Sequence, residues 1–349
     1  MYRRKHKKRE QPTFPDTLEG FGYRMKETGE IRSFEDDTHY NFEHRPKDRP
    51  YNELRYKAFV GLIGDFVEQK LQQEPLSYQK TIIPVNADPS KDIHSYIFMT
   101  PNALTTTDKL LILIPGNNTR IGQWTRRAMC DENVFTGSMI EVSKMAKERG
   151  YEIMILNPNG IYWFDNKAHE MPPLTSMDFL MVPENESPEE HCQYVFRHFI
   201  SKAKATKIAF MTLGWGGQCF AELMNQNFEF IKSRVLAVAM ADSVHSRELI
   251  KGDDMRAWMQ NHIVNWVVSK QPRGEIVSDN RFGCECLSAE TELSDFTLPY
   301  CVNEMMRFIG LKMGDIQTEE DVDEEISCEE LLEAENAELG EHLNVVSIG

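Results

Sequence analysis

The sequence predicts an α/β fold, a mainly parallel sheet with helices on both faces. Three observations carry that expectation. Strand-like and helix-like segments alternate along the chain. Four of the strand-like runs, 109–114, 151–156, 207–212 and 235–240, are apolar without alternation, so both their faces need cover, as in a parallel sheet. Each run then stops at turn chemistry or a polar residue: Pro115-Gly116-Asn117-Asn118, Asn157-Pro158-Asn159-Gly160, the Gly216-Gly217 pair, and Asp242.

Taken in order, residues 51–72 place Leu54, Ala58, Phe59, Leu62, Ile63, Phe66 and Val67 at helical spacing on one face. Two short runs, 81–85 and 95–100, are expected to pair antiparallel at a sheet edge. The strand at 109–114 precedes a helix over 136–149, with Gly150 in the position that ends helices. Residues 161–186, rich in Pro, Met and Asn, read as a loop or lid. Ser187 caps the next helix, Pro188 fits its first turn and Glu190 completes a capping box; Val195, Phe196, Phe199 and Ile200 form its buried stripe. The strand at 207–212 passes through Gly216-Gly217 into a helix carrying Phe220, Leu223 and Met224. After the strand at 235–240, a tryptophan-rich helix is expected over 254–269, then an irregular stretch, then a last helix around 302–309.

The chain has 349 residues, 41% of them apolar, enough for a sizeable core. Its net charge of −16 is concentrated at one end, with thirteen acidic side chains and no Lys or Arg between Asp315 and Glu341. Residues 3–9 hold six cations: Arg3, Arg4, Lys5, Lys7, Lys8 and Arg9. The expected organisation is a disordered basic tail over 1–12, one domain over 13–312 and an acidic tail over 313–349. The basic cluster is a candidate nuclear-import signal. A mildly acidic body argues against a broad nucleic-acid-binding face, and any RNA association is expected to be indirect. Seven cysteines, without a CxxC pair or a secretory signal, fit a reduced nuclear or cytoplasmic compartment. No metal or cofactor is expected: Cys284 and Cys286 lack a second ligand pair. No apolar run approaches the ~18 residues of a membrane span.

The strand–LGWGG–helix run over 207–230 has the organisation of a nucleophile elbow, the sharp turn of α/β-hydrolases that lifts a nucleophile above the sheet. Gly214 stands at its apex and has no side chain to attack a carbonyl. Asp242 ends the following strand, where an acid could sit. The histidine that completes such a triad belongs just before the final helix, and neither His245 nor His262 is there.

The ordered segments FPDTLEGFGY (14–23), KLLILIPG (109–116), GQWTRR (122–127), GYEIMILNPN (150–159), SPEEH (187–191), ADSVH (241–245) and RAWMQNHIVNWV (256–267) give the resemblance. Over roughly residues 14–309 the chain resembles the argonaute-binding-protein domain family, animal cotranscriptional regulators related to a fission-yeast siRNA-chaperone subunit. The resemblance implies an α/β-hydrolase-like fold, a nuclear or nucleo-cytoplasmic location, and association with Argonaute, splicing or chromatin proteins in silencing, heterochromatin formation or RNA processing. Members carry His-Ser-x-Gly-Gly at the elbow; here the run is Leu213-Gly214-Trp215-Gly216-Gly217. Their histidine follows a Ser-Ala-Gly-Thr-like stretch, which here is Ser288-Ala289-Glu290-Thr291, with Ser294 at the histidine position. Their oxyanion loop begins His-Gly-Ser-Gly, against Pro115-Gly116-Asn117-Asn118 here.

The leading expectation is thus a non-enzymatic, pseudo-hydrolase regulator or adaptor, with Gly214, Asp242 and Ser294 as the degenerate positions. A second reading is an enzyme with a rearranged site built on Cys219, Asp242 and His245; against it, Cys219 reads as a core thiol. A third is a ligand-binding pseudoenzyme whose pocket is lined by Gly116, Asn117, Trp215 and His245.

Overall fold

The structure, a computed structural model, describes residues 12–173 and 177–316. The basic cluster at 3–9 and the acidic residues after 316 lie outside them. The chain opens with a hairpin of β1 (Tyr23–Met25) and β2 (Ile31–Ser33), then α1 (Arg49–Gln72), β3 (Gln79–Ile83), β4 (Ser95–Met99) and β5 (Lys109–Ile114). Short helices α2 (Arg126–Asp131) and α3 (Val134–Gly137) lead to α4 (Ile140–Glu148) and β6 (Glu152–Ile155). A small sheet of β7 (Tyr162–Phe164), β8 (Lys167–His169) and β9 (Leu180–Met181) is inserted before α5 (Pro188–His198). Then follow β10 (Lys207–Leu213), α6 (Trp215–Arg234), β11 (Val235–Ala241), α7 (Asp253–His262), β12 (Ile263–Val267), β13 (Glu285–Ser288) and α8 (Ser294–Met313).

The eight-stranded sheet runs β13-β12-β11-β10-β5-β6-β4-β3. Pairing is parallel from β13 through β6 and antiparallel on both sides of β4. This is an α/β-hydrolase-like sheet, with the expected antiparallel pair at one edge. In β5 the residues Leu110 to Ile114 are all wholly buried. Leu111 and Leu113 join the core under α1, α4 and α8, whereas Leu110, Ile112 and Ile114 join the one under α5, α6 and α7. Two-sided cover is the reason the strand reads as an unbroken apolar run; each such side chain stabilises by about 1.5–3 kcal/mol.

Several expectations need correction. The segment 254–269 is not one helix: α7 stops at His262 and residues 263–267 form β12. All five are buried between β11 and β13, and β-branched Ile263, Val264 and Val267 with Trp266 favour the strand. No Gly or Pro separates the two elements, so they merge in the sequence. The helix expected over 136–149 breaks at Ser138-Met139. The 161–186 segment carries a three-stranded sheet, and the irregular stretch contains β13. The last helix is longer than expected, and the acidic tail does not begin free at 313. Asp315 holds Lys109 at 2.6 Å and accepts from the Tyr151 hydroxyl.

At the carboxyl edge, the start of α6 presses against the end of β5. A Cβ at Gly216 would lie 2.5 Å from the Ile114 carbonyl oxygen and 2.8 Å from that of Pro115. On the other side of β5, the loop after β6 is fixed by a buried imidazole. His191 Nδ1–H donates to Asn185 Oδ1 at 3.0 Å, and Nε2 accepts from the Asn157 amide at 3.0 Å. Complete burial pushes the His191 pKa down to about 3, so the ring is neutral.

Two predictions follow from these contacts. Gly216→Ala is expected to cost about 2 kcal/mol by overpacking, whereas Gly61→Ala, where a new Cβ inside α1 meets nothing within 4 Å, is expected to gain about 0.5–1 kcal/mol from helix propensity. Urea unfolding of both variants reads the difference. For His191, the unfolded pKa of about 6.5 lies above the folded one, so the unfolded chain binds the extra proton and stability falls as pH drops below 6.5. The loss between pH 7 and pH 5 is expected to be about 2 kcal/mol. His191→Gln should flatten that part of the pH profile.

Candidate functional site

Gly214 links β10 directly to α6 with φ 53° and ψ −114°. Those angles belong to the second residue of a type II′ turn, where an L side chain is strained. Its N–H donates to the Ala241 carbonyl at 2.9 Å. Its own carbonyl accepts from Gly217 at 3.1 Å and Val244 at 3.3 Å. A Cβ placed on Gly214 would meet nothing within 4 Å. The turn therefore has the geometry of a nucleophile seat, opening on free space, and is occupied by hydrogen.

The other two positions that the sequence singled out, Asp242 and Ser294, lie at the same edge of the sheet at different distances. Asp242 follows β11, next to β10, with φ 41° and its N–H donating to the Trp266 carbonyl at 2.7 Å. Ser294 is the first residue of α8 and is exposed; β11 and β12 separate its preceding strand β13 from β10. The connecting residues are Ala289, Glu290, Thr291, Glu292 and Leu293, with no histidine among them.

His245 has a partner that the sequence reading missed. Ser243 Oγ lies 2.6 Å from His245 Nδ1, and His245 Nε2 lies 3.0 Å from the Phe282 carbonyl. A carbonyl can only accept, so Nε2 carries the proton and Nδ1 accepts from the Ser243 hydroxyl. Burial lowers the His245 pKa, which favours this neutral form. The pair resembles a serine–base couple in contact distance alone. Both residues are 2% exposed, and Ser243 Oγ would sit 2.0 Å from a Cβ on Gly217. Its backbone amide is held by Asn265 Oδ1 at 3.1 Å. The couple thus ties the loop after β11 to α6 and β12. The signal for it was the Ser-x-His spacing inside ADSVH.

Of the four residues expected to line one pocket, His245 lines a cleft whose walls do not include the other three. His245 and Asp242 line a cleft of about 860 Å³ with Arg247, Arg256 and Phe282, and the lining does not include Gly116, Asn117 or Trp215. Trp215 is drawn away, its Nε1–H donating to Glu189 Oε1 at 2.6 Å. Asn117 is exposed, and the Gly116 carbonyl accepts from Asn159 Nδ2 at 2.7 Å. Cys219 is 1% exposed, and a hydrogen bond with Cys192 followed by burial pushes its thiol up, away from the reactive thiolate. Among the described residues no three His, Cys, Asp or Glu converge as a metal set, and no helix is long and apolar enough to cross a membrane.

With this geometry in place, comparison with known proteins adds a family. The Arb2 domain family model matches residues 14–273. A cotranscriptional regulator ARB2A homolog of Gallus gallus is 35% identical over 332 residues, 83% of this chain and 79% of the relative. The cotranscriptional regulator ARB2A of Homo sapiens is 33% identical over the same shares of each chain. A histone deacetylase from Saccharomyces cerevisiae superposes with a TM-score of 0.45 at 16% identity, over 72% of this chain and 97% of that one. The chain belongs to the Arb2 domain family.

Proposed function

We propose that this chain is a non-enzymatic regulator of cotranscriptional events, an α/β-hydrolase scaffold that works by holding protein partners. The observation that carries the reading is the glycine at the elbow apex. Gly214 keeps the backbone angles of a nucleophile seat, which would strain an L side chain, and the loop from 289 to 293 supplies no histidine to activate one. Acyl transfer by this fold needs both groups. The relatives at 33–35% identity are named as cotranscriptional regulators, which supports a regulatory role. The finer part of the proposal is that the partners are Argonaute, splicing or chromatin proteins in the nucleus, with RNA reached through them.

The test is affinity purification of the tagged full chain from nuclease-treated nuclear extract, beside a chain lacking residues 317–349. Nuclease-resistant recovery of Argonaute, splicing or chromatin proteins is the expected outcome, and loss on truncation would place the contact in the acidic segment. Recovery only when RNA is intact, or recovery of none of these classes, would overturn the partner assignment.

A further inference from the structure

A cavity of about 710 Å³ is walled in part by Arg120, Ile121 and Gln123 of the loop at 115–125. Its walls come from α1, the β3–β4 edge, that loop, and the β7–β8 hairpin, and Gly214 and Asp242 are not in its lining. Such a volume fits a small organic molecule. Tyr56, Val60, Ile82, Tyr96, Ile121 and Met171 give it an apolar body.

Two polar features distinguish it from a chance void. Gln123 is wholly buried, lines the cavity, and neither atom of its amide has a hydrogen-bond partner in the protein. An unpaired buried amide is destabilising, so native folds rarely retain one without a role. Room is made for it: a Cβ on Gly64 would lie 3.0 Å from Gln123 Nε2. Beside it, Arg126 Nε is also buried and unpartnered, although Nη2 of the same side chain holds Glu170 at 2.9 Å.

The second feature is charge. Five cations line the cavity, Lys57, Lys80, Arg120, Arg126 and Lys167, against three carboxylates, Glu53, Glu68 and Glu170. Glu68 is shared by Arg120 at 2.5 Å and Lys80 at 3.5 Å, Arg120 is also held by Asp65 at 2.8 Å, and Glu53 is paired outside the cavity with Arg49 at 2.8 Å. With Asp65 counted, five cations meet four carboxylates, so a small excess of positive charge surrounds an apolar body, with an unpaired donor and acceptor on Gln123.

We propose that this cavity is a binding site for a small aromatic anion, its ring against Tyr56 and Tyr96, and its carboxylate or phosphate, together with a polar edge, taken by Arg126 and Gln123. The site is separate from the elbow and does not depend on the partner assignment above. Its test needs no partner protein.

Gly61 offers a clean way to close it. It lines the cavity from α1, and a Cβ there meets nothing within 4 Å, so the bulk of Gly61→Phe is added at the cavity wall. The experiment is calorimetric titration of the full chain with indole-3-acetate, with phenyl phosphate, and with neutral indole-3-acetamide. Saturable binding of one or both anions, about tenfold or more tighter than the amide, is expected. Preference between the two anions assigns the carboxylate or the phosphate. Gly61→Phe should abolish that binding with the unfolding midpoint retained, and Gly214→Ala should leave it unchanged. Gln123→Leu should weaken binding while raising the unfolding midpoint, a combination that a purely structural glutamine would not give. Failure of both anions to bind saturably, or binding that survives Gly61→Phe in a folded protein, overturns the proposal.

Discussion

The contact on which the carboxyl edge of this fold depends is the approach of the first turn of α6 to the end of β5. With 2.5 Å between a Gly216 Cβ and the Ile114 carbonyl oxygen, only glycine lets helix and strand meet. That closeness forces the chain to reverse at one residue, Gly214, in a backbone state costly for any L side chain. The loop after β11 then locks to the elbow through Val244, whose N–H donates to the Gly214 carbonyl, and to the segment before β13 through the Ser243–His245 couple and the Phe282 carbonyl. An elbow built this way persists whether or not its apex carries a nucleophile. Glycine at the apex avoids the strain that a serine would bear at the same angles.

How much of this was legible in the sequence follows from the physics of each element. Strands β5, β6, β10 and β11 were legible because burial on both faces leaves an uninterrupted apolar record, and Ser187 was legible because its capping bond to Glu190 is local, at 3.1 Å. Strand β12 was hidden because a central strand following a helix without a breaker has the same apolar density as the helix. The three short strands of the 161–183 region were hidden because they are half-exposed and only two or three residues long.

The site was legible in part for a similar reason. Gly214 announces itself through the glycines around it. The Ser243–His245 couple left only a two-residue spacing, and the Gln123 cavity left no motif, because its walls come from four segments far apart in the chain. The partner of Trp215, Glu189, left no mark in the sequence because it lies 26 residues away. Contacts made through space, and not through periodicity, are where the reading of residues alone stopped.

The elbow and the cavity divide one loop between them. Gly116 faces Leu213, where a Cβ would come within 3.4 Å of the Leu213 carbonyl oxygen, while Arg120 and Gln123 turn toward α1. A fold with glycine at the elbow apex and both sides of this loop in order is suited to holding other molecules. The most direct measurement is exposure of the full chain to a fluorophosphonate that phosphorylates activated serines, read by intact mass and peptide mapping. The expected result is an unmodified chain. A stoichiometric adduct on Ser243, or on any other serine, would contradict it.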